Sequence, residues 1–151
     1  MNYTKQNQRK SFKRQLKTKL SETANIGNFY PTNRVAAYWF SRLNALLFGN
    51  KLGRVFIEVK KLHHDWGRCV ANWDNRKTPK GKFDQRLIPH HVPVTYYIQL
   101  HLKFDSWKDF IETLAHEMVH LYQMANVGDT GNHNKLFYSF RPKLNRIGLD
   151  L

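Results

Sequence analysis

The first clear pattern of apolar positions lies between residues 33 and 48. These positions share one side of a helix and are Val35, Tyr38, Trp39, Leu43, Leu46 and Leu47. Thr32 or Asn33 has a side chain suited to capping the start of this helix, and Gly49 has the backbone freedom to end it. We therefore expect a helix from about residue 33 to Phe48.

Strands are predicted where apolar residues occupy every second position. The first spans 55–59, with its apolar side formed by Val55, Ile57 and Val59. A second strand is expected at 69–73. The clearest one spans 95–102, and the residues on its apolar face are Tyr96, Ile98, Leu100 and Leu102.

A long amphipathic helix is predicted from Ser106 to about Val127. Ser106 is followed three residues later by Asp109, which loosely matches a capping box, and Gly128 is suited to ending the helix. The apolar stripe of this helix consists of Trp107, Phe110, Ile111, Leu114, Met118 and Leu121.

The last helical pattern follows a polar loop at 129–132. It begins near His133 and carries Leu136, Phe137 and Phe140. Because proline cannot donate a backbone hydrogen bond, we expect Pro142 to break this helix or to start a new one. Helices before and after a small group of strands indicate an α+β fold.

The segment from His116 to His120 reads H-E-x-x-H. Residues four apart lie on the same side of a helix, so both imidazoles can reach one metal ion. Glu117 lies beside them, where it can act as a base toward a water molecule at the metal. The two histidines lie opposite the apolar stripe, which favours a chemical role over a role in the core.

A catalytic zinc needs a third protein ligand and one open position. No glutamate follows Glu117 in the chain, and Gln123 and Asn126 stand where a metzincin would have glycine and histidine. His133 is the preferred third ligand, and Asp129 is the alternative. The predicted metal ligands are therefore His116, His120 and His133.

The net charge of the chain indicates which partners it can bind. The chain has 25 Lys and Arg against 11 Asp and Glu, a net charge of +14. A positive charge of this size attracts polyanions, among which nucleic acid is the commonest inside cells. Residues 1–28 are expected to form a basic, flexible arm before a domain at 29–151, and residues 76–86 a basic loop. The predicted nucleic-acid contacts are Lys10, Lys13, Arg14, Lys17, Arg76, Lys77, Lys80, Lys82 and Arg86.

Cys69 is the only cysteine, which excludes an internal disulfide and a four-cysteine zinc ribbon. The sequence has no apolar run long enough to cross a membrane and no secretory signal pattern at its start. We expect an intracellular protein, cytoplasmic or nucleoid-associated, that is a monomer without a membrane partner.

With these residues identified, the chain resembles the SprT-like metallopeptidases, the family of Spartan. The strongest matches are the stretch from Ile111 to His120, which reads IETLAHEMVH, and the stretch from Gly131 to Phe137, which reads GNHNKLF. Residues 43–52, 67–71 and 97–100 are similar to the family's first helix and central strands. Asn132 and Asn134 depart from the family's pattern, in which glycines flank this histidine.

The resemblance implies a minimal zincin-like fold, in which a small sheet packs against helices and an H-E-x-x-H helix carries the active site. It also implies one Zn²⁺ per chain, Glu117 as the catalytic residue, and cleavage of proteins bound to DNA, in particular DNA–protein crosslinks. Single-stranded DNA and DNA-bound proteins are the expected partners. The cysteine-rich zinc ribbon of many bacterial members is not found in this sequence.

A second function remains open from the sequence alone. The chain would then be a nucleic-acid-binding module whose zinc is structural or whose peptidase activity is vestigial. An intact Glu117 favours the peptidase, since a structural site needs no base. Tyr138 is a weaker candidate for stabilising an oxyanion, and the pairs His63-His64 and His90-His91 are not expected to bind metal because adjacent strand residues point to opposite faces.

Overall fold

The computed structural model describes residues 3–74, 92–129 and 131–151. The predicted basic loop at 76–86 and the pair His90-His91 lie outside the described residues. The helices are α1 (Tyr3–Thr23), α2 (Asn33–Phe48), α3 (Trp107–Leu121), a π-helix (Tyr122–Val127), α4 (Lys135–Tyr138) and α5 (Arg141–Arg146). The strands are β1 (Phe56–Val59), β2 (Gly67–Trp73) and β3 (Val94–Leu100).

The described strands form one three-stranded sheet in the order β1-β3-β2. The central strand β3 runs parallel to β1 and antiparallel to β2, with Ile98 opposite both Ile57 and Cys69. Tyr96, Ile98 and Leu100 are buried on the inner face of β3, because alternate residues of a strand point to the same side. This mixed arrangement of helices and a small sheet confirms the α+β class.

The core lies between this sheet and the helices α2 and α3. The predicted apolar stripe of α3 is at most 2% exposed at each of its six residues. Trp107 of α3 meets Trp39 of α2 edge to face, with ring centroids 5.1 Å apart. Burial of this stripe fixes the rotation of α3 about its axis and turns His116 and His120, on its opposite side, toward the loop that carries His133.

Helix α2 begins and ends where the sequence predicts. The hydroxyl of Thr32 accepts a hydrogen bond from the backbone N–H of Val35 at 3.1 Å, which caps the start. Gly49 ends the helix in the left-handed region with φ 57°, a conformation that costs glycine little. The predicted helix at 33–48 is confirmed.

The N-terminal segment differs from the flexible arm expected for residues 1–28. Residues 3–23 form helix α1, and Leu16 is completely buried in the core. Gln15 accepts a hydrogen bond from the Nε of Arg42 in α2 at 2.9 Å. Phe12, Leu16 and Leu20 recur at four-residue spacing, so one side of the helix is apolar and packs against the domain. The division of the chain into two units at residue 28 stays a prediction.

One strand ends earlier than expected, and one helix changes type before its expected end. Strand β3 ends at Leu100 rather than at residue 102, and the side chain of Leu102 is 45% exposed. The helix expected to reach Val127 is α-helical only to Leu121 and continues as the π-helix, which ends at Gly128. Pro142 lies in the first turn of the separate helix α5, as predicted from its missing N–H.

None of the described helices combines the length and the apolar character that crossing a membrane requires.

Candidate metal centre

Helix α3 holds His116 and His120 on the side that faces away from its buried stripe. The two residues are one helical turn apart, and their Nε2 atoms are 3.2 Å from each other. Ser106 caps this helix by accepting a hydrogen bond from the N–H of Asp109 at 3.0 Å. The position of both imidazoles therefore follows from the packing of a capped, amphipathic helix.

His133 joins this pair from the loop before α4. Its Nε2 lies 3.1 Å from that of His120 and 3.2 Å from that of His116, so the three nitrogen atoms form a nearly equilateral triangle. Among the described residues, these three histidines form the one group of three or more metal-ligating side chains close enough to hold an ion. Asp129, the alternative third ligand, is not in this group.

The triangle fits a tetrahedral metal ion. Zn–N bonds of about 2.0–2.1 Å in tetrahedral geometry separate the nitrogen atoms by about 3.3 Å, close to the distances found here. Burial, together with the neighbouring His120 and His133, lowers the pKa of His116 to about 4, so this ring is neutral and its lone pair is available at neutral pH. Burial also lowers the pKa of His120. Three imidazole nitrogens converging on one point form a site for a cation.

The ring of Phe137 in α4 packs against all three imidazoles. Its ring centroid lies 4.8 Å from that of His116 and 4.7 Å from those of His120 and His133. Phe137 is 1% exposed, so the aromatic ring excludes water from one side of the histidines. The open side of the triangle therefore faces the cavity described below.

Gln123 is a buried polar residue that sequence reasoning assigned no role. Its side chain is completely buried, and its Nε2 donates to the carbonyl oxygen of Asn132 at 2.8 Å and to the Oδ1 of Asn134 at 3.0 Å. Because two acceptors fix the amide nitrogen, the Oε1 must face His120, whose Nδ1 lies 2.9 Å away. His120 then carries its proton on Nδ1 and leaves Nε2 free for a metal ion.

Asn134 stands at a position where the resemblance predicts glycine, and the structure gives it three partners. Besides Gln123, its Oδ1 accepts from the N–H of Phe137 at 3.1 Å, which caps α4. Its Nδ2 donates to the carboxylate of Asp129 at 2.8 Å. These bonds hold the loop on both sides of His133, and they engage Asp129 as an acceptor within the loop.

Glu117 is 6% exposed and lies between the metal centre and strand β2. Burial, together with the negative charge of Asp65, raises the pKa of Glu117 to about 8, although the backbone N–H of Cys69 donates to the carboxylate and acts in the opposite direction. A carboxyl with a raised pKa can accept a proton from a bound water and release it again near neutral pH.

Two cavities meet at His116 and Glu117. One, of about 630 Å³, also contains His120 and His133 and is bordered by Arg68 to Ala71 of β2. The other, of about 530 Å³, is bordered by Trp66 and several acidic residues. Gly67 borders both cavities, and a Cβ there would lie 2.7 Å from the Cγ2 of Thr113 and 3.3 Å from the Cγ of Glu117. Strand β2 can approach α3 this closely because residue 67 has no side chain.

In the described part of the chain, the other candidate groups do not belong to the group of three histidines, although Cys69 and His64 border the two cavities. Tyr138 is 44% exposed, and it borders neither of the two cavities that contain His116 and Glu117. Burial raises the pKa of the Cys69 thiol, which disfavours the nucleophilic thiolate. His63 and His64 are exposed on the chain before β2. Arg68, on the cavity wall, is a residue that sequence reasoning missed.

The predicted nucleic-acid contacts divide into separate groups. Lys10 and Lys13 border one groove, which also contains Lys51, Lys143 and Arg146. Arg14 borders a different groove between α1 and α2, and Lys17 is exposed on α1. The contacts at Arg76, Lys77, Lys80, Lys82 and Arg86 lie outside the described residues.

Comparison with protein-family models gives one match. Residues 36–149 match the model described as the SprT-like family. The matched range contains β1 to β3, α3 and all three histidines, and it leaves α1 outside. A search of curated proteins found no significant match.

Proposed function

The chain belongs to the SprT-like family, and on that premise we propose that it is a zinc-dependent metalloendopeptidase that cleaves DNA-bound proteins. The family is associated with zincin-like metallopeptidases, and its minimal fold corresponds to a small sheet packed on an active-site helix. The observation that carries the proposal is the convergence of three histidine Nε2 atoms, all within 3.1–3.2 Å of each other, beside the buried Glu117.

In this proposal His116, His120 and His133 hold one Zn²⁺ per chain. The choice of zinc follows from three imidazole ligands and a fourth, open position, which is the usual composition of a catalytic zinc site. When bound, the ion polarises the scissile carbonyl and lowers the pKa of water at the site. Phe137 keeps the other side of the ligands dry, which strengthens the electrostatic interactions there.

Glu117 is the general base. Its carboxylate takes the proton of the attacking water and then delivers it to the leaving amine of the cleaved peptide bond. The Cys69 N–H that donates to this carboxylate fixes its orientation toward the cavity. A positive charge at the histidines would lower the pKa of Glu117 and so oppose the effect of burial, which favours the charged carboxylate that a general base requires.

The shape of the cavity supports an extended peptide as substrate. In the described sheet, β2 is an outer strand, paired with β3 along one edge, and its residues from Arg68 to Ala71 border the cavity that holds the histidines. An outer strand offers backbone N–H and C=O groups to a peptide chain laid beside it. A peptide bound in this way would pass across Glu117 with its backbone oriented by β2.

The nucleic-acid part of the proposal rests on charge. The net charge is +14, and seven Lys and Arg with no acid lie in the first twenty residues. A field of this sign favours binding to phosphate backbones and brings the peptidase close to proteins held on them. Single-stranded DNA with a bound or crosslinked protein is therefore the proposed substrate.

Glu117→Gln tests the proposed chemistry. The variant keeps the size of the side chain and all three histidines but cannot accept the proton of the attacking water. Cleavage of a basic protein on single-stranded DNA should fall by about a hundred- to ten-thousand-fold, while bound zinc measured by mass spectrometry stays near one per chain. Glu58→Gln, which makes the same change on β1, should cleave at the native rate.

Unchanged cleavage by Glu117→Gln would refute the mechanism. A native protein that binds zinc and DNA but cleaves none of a panel of DNA-bound proteins would instead support the nucleic-acid-binding module with a structural or vestigial zinc site.

A further inference from the structure

A groove rich in positive charge lies between α1, the turn after α2, and α5. It has a volume of about 470 Å³ and shares no residue with the two cavities at the metal centre. We call it the basic groove and define it by its six cationic residues, Arg9, Lys10, Lys13, Lys51, Lys143 and Arg146. None of the other residues that border it is acidic. A concave surface with charge of one sign concentrates the electric field and attracts anions.

The fold itself brings these cations together. Lys51 follows Gly49 and Asn50, which both have positive φ and turn the chain sharply after α2. The carbonyl oxygen of Lys51 accepts a hydrogen bond from the Nδ2 of Asn126 at 2.8 Å, which ties this turn to the π-helix. Lys143 lies over the ring of Phe140 at 5.1 Å from its centroid. The groove is therefore built from rigid elements of the domain, and α1 forms only one of its walls.

The floor of the groove is aromatic. Phe48 and Phe140 are 4% and 6% exposed, and their ring centroids are 5.1 Å apart. Tyr122 packs against both rings, at 5.7 Å and 5.3 Å, and remains partly exposed. Proteins bind the phosphates of single strands with cations on the rim of a groove, and Tyr122, the one partly exposed ring of these three, is available for contact with a base.

The same observations disfavour an anionic membrane as the partner. Binding to a lipid surface by charge is usually strengthened by exposed apolar side chains that enter the interface. The large apolar side chains that are exposed in the described residues, such as Ile26 and Val127, do not border the basic groove.

We propose that the basic groove binds the phosphate backbone of single-stranded nucleic acid. The inference rests on the nucleic-acid partner of the proposed function and is independent of the peptidase reaction. It locates binding on the folded domain, with Lys51, Lys143 and Arg146 as contacts in addition to Lys10 and Lys13.

The test compares two variants that each remove three positive charges. The groove variant carries Lys51→Gln, Lys143→Gln and Arg146→Gln. The control variant carries Lys60→Gln, Lys61→Gln and Lys108→Gln, at residues that are also exposed and lie outside the groove. Affinity for a fluorescent oligothymidine is measured for both and for the native chain at several salt concentrations.

For single strands, each lost phosphate contact reduces the slope of log K against log salt by about 0.7, so the groove variant should have a slope shallower by about 2. Its affinity at low salt should fall at least about tenfold, and the control variant should keep a slope close to the native one. Equal losses in both variants would overturn the groove and leave only a diffuse effect of net charge.

Two further outcomes are distinguishable. If the native chain does not bind the oligonucleotide at all, the nucleic-acid partner of the proposed function fails together with the groove. If the native chain instead binds phosphatidylserine vesicles and the groove variant loses that binding, the groove serves a membrane and the present inference is wrong. Circular dichroism of each variant verifies that these exposed substitutions leave the fold intact.

Discussion

Replacing Gln123 by methionine should weaken metal binding although Gln123 does not reach the metal position. Methionine has nearly the same length and volume, so the substitution removes the amide without opening a cavity. It removes the hydrogen bonds of residue 123 to the Nδ1 of His120, the carbonyl oxygen of Asn132 and the Oδ1 of Asn134, of which the last still accepts from the N–H of Phe137. Its effect should therefore report on hydrogen bonding alone.

We expect Gln123→Met to lower both the metal affinity and the folding stability. Loss of a residue that orients a metal-ligating histidine typically costs about 10- to 100-fold in metal affinity. Three buried hydrogen bonds, at about 1 kcal/mol each, add roughly 3 kcal/mol to the loss of folding stability. A variant that loses stability but binds zinc as tightly as the native chain would show that the amide supports the fold and not the metal ligand.

Gln123→Glu separates these two effects. A carboxylate keeps the acceptor for the Nδ1 of His120, but it cannot donate to Asn132 and Asn134. We expect it to recover most of the zinc affinity that Gln123→Met loses, while its stability stays low. The control is Gln99→Met on β3, which removes hydrogen bonds to Arg68 and Glu58. Competition with a chromophoric chelator gives the affinity, and the absorption spectrum of the cobalt-substituted protein reports the ligand geometry. Native zinc affinity in Gln123→Met would refute the reasoning.

Two further predictions concern the fold. Leu16→Ala should destabilise the protein by about 2–5 kcal/mol in urea unfolding, because Leu16 is completely buried. The control Leu102→Ala, at a residue 45% exposed, should change stability by less than about 0.5 kcal/mol. Equal small effects of the two substitutions would mean that α1 is not packed on the domain. In the metal-free protein, the contribution of Glu117 to folding stability should fall as pH rises from about 4.5 to 8, because the raised pKa of Glu117 makes the folded state hold a proton that the unfolded state releases. The lowered pKa values of His116 and His120 act in the opposite direction below about pH 6.5, so the quantity to measure is the difference between the native chain and Glu117→Gln in a thermal melt series, and identical pH profiles would contradict the assignment.

Much of the fold follows from local patterns in the sequence. The cap residues Thr32 and Ser106 and the apolar stripe of α3 each express a preference of one segment, and the structure has them where the sequence predicts. The convergence of His116, His120 and His133 was also expected from spacing and from the family resemblance. These features are predictable because each depends on residues close together in the chain.

Other features depend on contacts between distant segments. The packed position of α1 requires a surface on the domain to receive Leu16, and the basic groove joins Lys13 to Lys51 and Lys143. The four-residue period of Phe12, Leu16 and Leu20 predicts an apolar side for α1 but not the surface that receives it. Gln123 is an intermediate case, since its place three residues after His120 on the same helical face was a usable signal for a hydrogen bond to that histidine.

The way the loop that carries His133 is held determines how much chain entropy is lost when a metal ion binds. His120 and His133 are 13 residues apart, and closing a loop of about 15 residues removes chain entropy worth about 3 kcal/mol. The Gln123 amide already joins the two ends of this loop through Asn132 and Asn134. The entropy of closing the loop is therefore lost when the chain folds, and an arriving ion does not have to order the loop itself. Under the proposed function, zinc would leave and return without the loop unfolding, and more of its binding free energy would appear as affinity.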